Sequence, residues 1–483
     1  MTPEPSKVLS ALEQSESAAF ERLFDILKIP SISANPQFAA DCVSAANWYC
    51  AILTDMGFDA RVRKTPGQPA VIAHRRLSES SKPHVLYYGH YDVQPADPLG
   101  LWRPPPFEPN FQDGARGKRI VGRGAADDKG QTMMWLEALR AWLGVWGNLP
   151  AHTTVVIEGE EETGSPNFDY LLNTYRSDLQ ADFAVISDGN MWDIETPAIV
   201  TQLRGLVYTE VSISTANQDL HSGLYGGSAN NAANVLCNIL GDLHDDIGHI
   251  RLPGIYDDVL DTSPAVRQSW ASLSFDEGDF LRRSGLSCPA GERDRPALER
   301  LWSRPTADVH GIWAGYSDPG VKTVIPAAAH AKVSFRLVPR QDPQKVVKGF
   351  ETFVQSRLPP DASMKIEVLE AAPSVEIPTD NIWLEAARSA LADEYGRNPV
   401  LIGCGGSLGA VEGFKRILGI PTLLFSFGLD DDQVHAPNEK FEVKCFRHGS
   451  RTHARLLANL EVIARDWRRS HHELREIDNA SKQ

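Results

Sequence analysis

The stretch Glu158-Gly159-Glu160-Glu161-Glu162-Thr163-Gly164, EGEEETG, follows the apolar residues 153–157 and therefore stands where a buried strand ends in a loop. Consecutive carboxylates repel one another, and removing even one of them from water is costly unless it is paired or binds a metal. Neighbouring side chains of an extended chain point in different directions, so Glu161 and Glu162 can act separately as proton acceptor and metal ligand. Metal-assisted hydrolysis uses that division of roles, and a solvated acidic loop is the alternative that this stretch alone leaves open.

Strand candidates that end in polar residues alternate with amphipathic helices on both sides of this stretch. The apolar residues 85–88 lead to His90, and the apolar residues 183–186 lead to Asp188. Between them, residues 133–143 have the apolar spacing of a buried helix. The alternation predicts an α/β sheet, and the ligands of such sheets gather beyond the carboxyl ends of the strands.

A second domain is predicted within the first. Residues 207–213 alternate between apolar and polar side chains, which is typical of a half-exposed antiparallel strand. Residues 241–305 are rich in proline and in charged residues, and we expect them to form a long irregular segment. The α/β pattern returns afterwards, so we expect an α+β domain of residues 206–378 inserted into a first domain of residues 1–205 and 379–483.

The composition excludes several classes of partner. The formal net charge of −15 argues against binding to nucleic acid or to anionic membrane surfaces. Apolar residues never run together for the length of a membrane span, and the first residues lack the apolar core of a secretory signal. The six cysteines form no C-x-x-C pair, which fits neither a disulfide framework nor a thiolate zinc site. We therefore expect a cytoplasmic protein.

Histidines and acids collect at the ends of the predicted elements. Those that lie in loops with other acids nearby are His90, Asp92, Asp127, Glu161, Glu162, Asp188 and His435. Oxygen and imidazole ligands without thiolate favour zinc, manganese or cobalt, and zinc is the usual metal of a hydrolase. Five ligands are too many for one catalytic zinc that keeps an open position, but they suit two ions that share a carboxylate.

Seven ordered motifs over nearly the whole chain resemble those of a known superfamily. They are GHYDVQP (89–95), GRGAADDKG (122–130), EGEEETGS (158–165), ISDG (186–189), DLHSG (219–223), KTVIP with FRLVP (322–326 and 335–339), and HAPNEKF (435–441). The series is similar to that of the dinuclear-zinc aminoacylase, desuccinylase and carboxypeptidase superfamily, and it is closest to the cytosolic nonspecific dipeptidase branch. The resemblance implies a mixed-sheet zinc-peptidase catalytic domain with an inserted α+β lid and dimerisation domain.

The resemblance also implies a role for each ligand. One divalent ion is held by His90, Asp127 and Asp188, and the other by Asp127, Glu162 and His435, so that Asp127 is the bridge. The ions are expected to be Zn²⁺, with Mn²⁺ or Co²⁺ as alternatives. The peptide bond after Asp127 is expected in the cis form. Asp92 hydrogen-bonds His90 and fixes its tautomer.

Catalysis and dimerisation follow from the same resemblance. Glu161 is the general base, and His221 of DLHSG is the histidine that stabilises the transition state. In the relatives that histidine comes from the inserted domain of the partner subunit, so we expect a homodimer in which His221 acts across the interface. A surface histidine on a loop is the alternative for His221.

Substrate recognition is expected in the inserted domain and at a glycine-rich turn. Arg336 of FRLVP stands where relatives bind the free carboxylate of the substrate, although an interface salt bridge is the alternative. The further expected contacts are Thr323, Asn230, Gly406 and Ser407. Asparagine often caps a helix, which is the alternative for Asn230.

Two departures from the dipeptidase branch border this carboxylate pocket. The chain reads Glu370-Ala371-Ala372-Pro373 where that branch often has His-Gly-Gly. Cys404 precedes the Gly-Gly-Ser turn and Leu408-Gly409 follows it, in place of an acid and Ile-Pro. These departures leave the length of the peptide substrate open.

The leading hypothesis is a dinuclear metallopeptidase that cleaves dipeptides or short peptides with a free C-terminal carboxylate. An N-acyl-amino-acid amidohydrolase or desuccinylase would share the metal centre but recognise an acyl group in place of a free amine. A metal-free binding or scaffold protein on the same fold is the third hypothesis. Every ligand and base position is retained, which speaks against the third.

Overall fold

The computed structural model of the 483-residue chain describes residues 4–481, and beyond residue 460 it describes the side chains of residues 462 and 463 alone. The strands are β1 (Asp59–Arg63), β2 (Ala70–Arg75), β3 (His84–His90), β4 (Asn110–Gly114), β5 (Gly117–Val121), β6 (His152–Glu158), β7 (Phe183–Ile186), β8 (Ala198–Leu203), β9 (Gly205–Ser214), β10 (Leu220–His221), β11 (Thr306–Ala314), β12 (Val324–Ile325), β13 (Ala328–Leu337), β14 (Ser363–Ala372), β15 (Val375–Glu376), β16 (Val400–Cys404), β17 (Thr422–Leu424) and β18 (Lys440–Glu442).

The helices alternate with the strands in the first part of the chain and again near its end. They are α1 (Pro5–Gln14), α2 (Glu16–Leu27), α3 (Ala39–Asp55), α4 (Lys129–Trp146), α5 (Phe168–Thr174), α6 (Ser222–Tyr225), α7 (Ala232–Gly241), α8 (Pro264–Ala271), α9 (Glu277–Arg283), α10 (Ala297–Trp302), α11 (Pro343–Gln355), α12 (Ile382–Tyr395), α13 (Gly409–Gly413) and α14 (Val443–Ser481). Within the described residues, none of these helices has the length and apolarity that crossing a membrane requires.

The chain divides into two compact units. The first comprises Met1–Val200, Ile377–Leu401 and Gly409–Gln483, and the second comprises Thr201–Glu376 and Ile402–Leu408. The observed boundaries lie a few residues from the expected ones. The exception is the segment 402–408, which we expected in the first domain and which belongs to the second unit.

The first unit is built on a mixed sheet with the strand order β1-β2-β6-β3-β7-β17-β8. The strands β6, β3, β7 and β17 are parallel, because each pairs in parallel with its neighbour. Their residues are buried along their whole lengths, as expected for strands with neighbours on both sides. This sheet confirms the predicted α/β class.

Helix α4 packs on β3 at the centre of the first unit. The rings of Tyr87 and Trp135 stack with centroids 4.8 Å apart, and both side chains are fully buried. Helix α14 packs on α4, and the indole N–H of Trp142 donates to the carbonyl of Ala454 at 3.0 Å. A small antiparallel sheet has the order β18-β5-β4. In it, β4 and β5 form a hairpin, and β18 directly precedes α14.

The second unit is an antiparallel sheet with the order β11-β13-β9-β14. One face of β9, which carries Val207, Val211 and Ile213, packs with residues of α7 and α11 in an apolar core. The alternation along β9 confirms the predicted half-exposed strand. The α+β character of the inserted segment is as expected.

Several elements differ from the sequence-based expectations. The apolar spacing of residues 8–27 is that of one continuous amphipathic helix, but these residues belong to two helices, α1 and α2, with a break at Ser15. The segment 241–305 contains the short helices α8, α9 and α10 and is not irregular throughout. The strands β11 and β14 were not expected. They are the edge strands of their sheet, and most of their side chains are exposed. In β14, Met364 and Ile366 alternate with polar residues and pack against the apolar core.

Candidate metal centre

Three parallel strands of the first unit bring the predicted site residues to one edge of the sheet. His90 is the last residue of β3 and is fully buried. Glu161 and Glu162 lie in a single turn of 3-10 helix that follows β6, and Asp188 follows β7 by two residues. The carboxyl ends of parallel strands meet at one edge, so residues far apart in the chain come together here.

Asp127 reaches the same edge from the loop before α4. The peptide bond between Asp127 and Asp128 is cis, as expected from the resemblance. The loop packs tightly on the first turn of α4, because a Cβ atom at Gly130 would stand 1.9 Å from the carbonyl oxygen of Ala125. Glycine is therefore the only residue that fits in this turn as it is folded.

His435 arrives from the loop that follows β17. Its φ is +62°, in the left-handed region, and its side chain is 54% exposed. Its Nε2 lies 3.0 Å from Oδ2 of Asp127 and 3.1 Å from Oε2 of Glu162. The sequence separation between His435 and Asp127 is 308 residues, so only the folded chain brings them together.

Two groups of side chains share Asp127. One is His90, Asp127 and Asp188, and the other is Asp127, Glu162 and His435, and within each group the ligand atoms lie within 4.8 Å of one another. The Nε2 atom of His90 lies 3.1 Å from Oδ1 of Asp127 and 3.7 Å from Oδ2 of Asp188. Each carboxylate oxygen of Asp127 thus faces a different histidine. These are the groups that the sequence analysis assigned to two ions.

The carboxylates of the centre carry more negative charge than the two imidazoles neutralise. Burial, together with the charges of Asp127 and Glu162, raises the pKa of Asp188 to about 7 although His90 opposes this effect. Burial also raises the pKa of Glu161 well above its usual value and raises that of Glu162. Burial opposes the ionisation of Asp127, but hydrogen bonds from His435 and His90 lower its pKa.

The carboxylates of the centre also raise the pKa values of its two histidines. Hydrogen bonds to Asp127 and Glu162 raise the pKa of His435 to about 10. Burial works against the charged form of His90, yet its contacts with Asp127 and Asp92 raise its pKa well above the usual value. The centre therefore favours positive charge, and carboxylate with imidazole donors fits a pair of divalent cations of the zinc, manganese or cobalt type.

Asp92 contacts His90, as expected, and makes further contacts that were not expected. The Nδ1 atom of His90 lies 3.1 Å from the backbone carbonyl oxygen of Asp92 and 3.4 Å from its carboxylate, so the carbonyl is the nearer acceptor. The carboxylate accepts hydrogen bonds from the backbone N–H of Glu161 at 3.2 Å and of Glu162 at 3.1 Å, and from the hydroxyl of Ser33 at 2.6 Å. Asp92 therefore supports the histidine and both glutamates at once.

The carboxylate of Glu161 is free among the acids of the centre. Within the described part of the chain, it accepts no hydrogen bond and forms no ion pair. Glu162 instead accepts a hydrogen bond from the amide of Gln94 at 2.8 Å. A free, buried carboxylate with a raised pKa can exchange a proton, whereas an engaged one is suited to hold a fixed position.

Gln94 is a supporting residue that the sequence analysis missed. Its amide donates to both the side chain and the backbone carbonyl of Glu162, at 2.8 and 3.0 Å. It lies inside the motif GHYDVQP, so its place in the motif was a signal that could have identified it. Asp128, which follows the shared Asp127, has a structural role, since it is buried and accepts hydrogen bonds from the hydroxyl of Thr132 and the backbone N–H of His90.

The second unit holds the other predicted residues. His221 and Thr323 lie side by side, since β10 pairs with β12 and the backbone N–H of Ser222 donates to the carbonyl of Thr323 at 3.1 Å. His221 is exposed, and its Nδ1 accepts the backbone N–H of Gly223 at 3.0 Å.

Asn230 is not the residue that caps the nearby helix α7. Helix α7 begins at Ala232, and the capping side chain is that of Asn231, which accepts the backbone N–H groups of Ala233 and Asn234. The amide of Asn230 donates to Asp361 at 3.3 Å at the protein surface.

Arg204 organises the glycine-rich turn that contains Gly406 and Ser407. Its backbone N–H donates to the carbonyls of Cys404 and Gly406, and its Nε donates to the carbonyl of Gly405 at 3.0 Å. The three carbonyls of the turn therefore point toward Arg204. Burial and the neighbouring guanidinium of Arg336 lower the pKa of Arg204 to about 10.

The two departures from the dipeptidase pattern lie near these residues. The Sγ atom of Cys404 accepts the backbone N–H of Gly406 at 3.4 Å, so this N–H already has a weak partner. Residues 370–372 form the end of β14, where Ala372 stands opposite Leu206. Leu206 stands opposite Arg336 in the next strand pair, so this departure is two strands from Arg336.

Comparisons with known proteins identify the family of the chain. A family model described as Peptidase family M20/M25/M40 matches residues 86–459. The Cys-Gly metallodipeptidase DUG1 of Candida albicans is 30% identical over 463 residues, covering 92% of this chain and 95% of the relative. The human Beta-Ala-His dipeptidase is 32% identical over 379 residues, covering 77% of this chain and 74% of the relative.

Solved structures of similar proteins share the whole fold. The di-peptidase Dug1p of Saccharomyces cerevisiae matches with a TM-score of 0.80 and 27% identity, covering 95% of this chain and 99% of that one. The M20 family metallo-carboxypeptidase Sso-CP2 of Sulfolobus solfataricus matches with a TM-score of 0.79 and 28% identity, covering 92% and 99%. The predicted superfamily and the metallopeptidase class are confirmed. This chain belongs to the peptidase family M20/M25/M40.

Proposed function

We propose that the protein is a dinuclear dipeptidase that hydrolyses the amide bond of dipeptides or short peptides with a free C-terminal carboxylate. The observation that carries the proposal is the pair of three-residue groups that share Asp127 at the edge of the first unit's sheet. Two sets of carboxylate and imidazole donors that share one carboxylate are typical of a two-ion hydrolytic centre.

The ligands would be His90, Asp127 and Asp188 for one ion and Asp127, Glu162 and His435 for the other. Zinc is the proposed metal, because imidazole and carboxylate donors without thiolate suit it, and manganese or cobalt would fit the same donors. When bound, such ions act as Lewis acids toward the scissile carbonyl and lower the pKa of water at the centre.

Glu161 is the proposed general base. Its free carboxylate accepts the proton of the attacking water and then donates that proton to the leaving amine. The carboxylate of Asp92, through the backbone N–H groups of Glu161 and Glu162, holds both glutamates in their places.

The proposed substrate contacts belong to the second unit. Arg336 makes no side-chain hydrogen bond or ion pair within the described residues, so its guanidinium is available to bind a C-terminal carboxylate. Gly406 and Ser407 would add contacts from the turn that Arg204 organises, and Thr323 and Asn230 are further proposed contacts. Relatives named for Cys-Gly and β-Ala-His cleavage support small dipeptides as the substrate class.

A homodimer is proposed, with His221 of one subunit serving the metal centre of its partner. The exposed position of His221 supports this role, since an imidazole that serves another subunit must be accessible on its own. A cytoplasmic location is proposed as well. The cysteine spacing supports this location, because the six cysteines form no C-x-x-C pair and do not suggest a disulfide framework.

A panel assay on metal-defined protein tests the proposed function. The protein is stripped with a chelator and reloaded with Zn²⁺, Mn²⁺ or Co²⁺, and turnover of Cys-Gly, β-Ala-His and Ala-Ala is compared with that of N-acetyl- and N-succinyl-amino acids. We expect about two ions per chain and a clear preference for the free dipeptides. Faster turnover of the acylated amino acids would identify a deacylase, and metal-independent binding without turnover would identify a binding protein.

A further inference from the structure

Glu439 joins the two loops that carry Asp127 and His435. Its side chain is completely buried. One carboxylate oxygen, Oε1, accepts the backbone N–H groups of Ala126 at 2.9 Å and of Asp127 at 3.1 Å. The other, Oε2, accepts the backbone N–H of Gly124 at 3.0 Å and the Nη1 of Arg123 at 2.8 Å. Four donors therefore converge on one carboxylate.

The small sheet of the first unit aligns these loops. Strand β18 pairs with β5, and Lys440 stands opposite Val121. One residue beyond this pair, the backbone N–H of Gly122 donates to the carbonyl of Glu439 at 3.0 Å. The carboxylate of Glu439 then accepts hydrogen bonds from the backbone of this loop as far as Asp127. The backbone of the bridging aspartate is thereby fixed to the segment that carries His435.

The two ligand histidines are anchored very differently. His90 is a fully buried residue of β3, and its strand is paired on both sides by β6 and β7. His435 is 54% exposed and lies in a loop with left-handed backbone at Gln433, His435 and Asn438. Only three residues lie between His435 and Glu439, so the position of this imidazole depends on where Glu439 holds the end of the loop.

Asn438 attaches the same loop at a second point. Its amide nitrogen donates to the carbonyl of Leu101 at 2.9 Å, and its amide oxygen accepts the backbone N–H of Arg103 at 2.6 Å. These contacts are at the surface, whereas those of Glu439 are buried. Buried hydrogen bonds to a charged group contribute more than exposed ones, so Glu439 is the stronger of the two attachments.

We propose that Glu439 is a positioning residue that sets the affinity of the ion group Asp127, Glu162 and His435, while the group of His90, Asp127 and Asp188 depends on it much less. The inference rests on the proposed two-ion centre. The reason for the difference is that His90 and Asp188 are held by the large sheet, whereas His435 is held by a loop that Glu439 attaches. Glu439 acts through the backbone of its neighbours and touches neither substrate nor ion.

Glu439→Gln is the direct test. A glutamine keeps the shape but replaces one acceptor oxygen by an NH₂ donor, which faces two further donors whichever way the amide is turned. Stripped protein is titrated with Co²⁺, and bound ions are counted after equilibrium dialysis and followed by the absorption spectrum of the metal. For the variant we expect one ion bound as in wild type and the second bound about 10- to 100-fold more weakly.

Glu442→Gln is the matched control. Glu442 is a buried acid three positions after Glu439, at the end of β18, but its carboxylate faces Lys440 at 3.2 Å and does not contact the loop of Asp127. This variant should bind both ions with wild-type affinity. If Glu439→Gln does not fold, Glu439→Asp keeps the charge on a shorter side chain and should give a smaller loss in the same ion.

Three outcomes would overturn the inference. The first is wild-type affinity for both ions in a folded Glu439→Gln protein, and the second is that this variant binds both ions more weakly to the same extent. The third is that Glu442→Gln weakens the binding of the second ion as much as Glu439→Gln does. The proposed function fails separately, because it is tested on the wild-type protein. Fewer than two ions bound to wild type, or no hydrolysis of dipeptides by it, would contradict the two-ion dipeptidase whatever the variants do.

Discussion

The carboxylate of Asp92 accepts a hydrogen bond from the backbone N–H of Glu162 at 3.1 Å. The same carboxylate accepts the backbone N–H of Glu161, and the carbonyl of Asp92 lies 3.1 Å from Nδ1 of His90. One aspartate therefore fixes the residue proposed as base, one proposed ligand of each ion, and the distance between the ends of β3 and β6.

Asp92→Asn should reduce turnover more than it destabilises the fold. The asparagine keeps one acceptor oxygen but brings an NH₂ group against a backbone N–H, which displaces the turn of Glu161 and Glu162. We expect a loss of about 10- to 100-fold in kcat/KM or in metal affinity, measured by steady-state hydrolysis of a dipeptide at several metal concentrations. Ser33→Ala is the control, because it removes the hydroxyl contact to Asp92 and leaves the backbone contacts intact. Wild-type kinetics for Asp92→Asn would contradict the role.

Glu161→Gln should abolish proton transfer without removing metal. The amide cannot accept the proton of water, and Glu161 belongs to neither ligand group. We expect kcat to fall by about 10²- to 10⁴-fold, while the number of bound ions stays at the wild-type value. Glu160→Gln is the control, since the adjacent Glu160 accepts a hydrogen bond from Asn167 at 2.8 Å. Unchanged turnover in Glu161→Gln would remove the base assignment.

His221→Ala tests the proposed action across a dimer. The variant should lose kcat and keep its metal, because His221 is not among the candidate ligands. Inactive His221→Ala and Glu161→Gln chains are then mixed and allowed to exchange subunits. Random exchange should restore roughly one quarter of wild-type activity, since half of the dimers are mixed and each mixed dimer has one intact site. No recovery after proven exchange would show that His221 acts within its own chain.

Glu394→Gln should lower the stability of the first unit in a pH-dependent way. Burial opposes ionisation of Glu394, but hydrogen bonds from His448, Arg451 and Arg455 lower its pKa below the usual 4.5. We expect the free energy of unfolding at pH 7 to fall by about 3 kcal/mol, which is the lower end of the range for a broken buried ion pair, because the three partners of Glu394 are partly exposed to solvent.

The sign of the pH dependence follows from the direction of that shift. A carboxylate whose pKa is lower in the folded state contributes stability above the unfolded pKa, and this contribution is lost as the pH falls through the folded pKa. The difference between wild type and Glu394→Gln in urea unfolding should therefore be full at pH 7 and shrink below about pH 4.5. The control is Glu385→Gln, on the same helix with an exposed side chain, and it should change little at either pH. A difference that is constant with pH would contradict the ion-pair explanation.

Local sequence predicted the elements that carry the centre, because buried parallel strands are apolar along their whole length. The strands that end near His90, Glu158 and Asp188 were found in this way, and the half-exposed β9 was found from its alternation. The edge strands β11 and β14 were missed, and most of their side chains are exposed. Residues 363–368 of β14 do alternate between polar and apolar side chains, so this strand had a signal that could have identified it.

The sequence by itself determined the class of chemistry, since carboxylates and histidines at strand ends without thiolates leave few alternatives to a hard-metal hydrolytic centre. Only the tertiary structure decided which contacts hold that centre. The carboxylate of Asp92 faces the backbone of the two glutamates, and Glu439 reaches Asp127 across 312 residues of chain. Periodicity reports whether a side chain is buried, but the partner that it meets depends on how distant strands and loops pack, and that is a property of the whole fold.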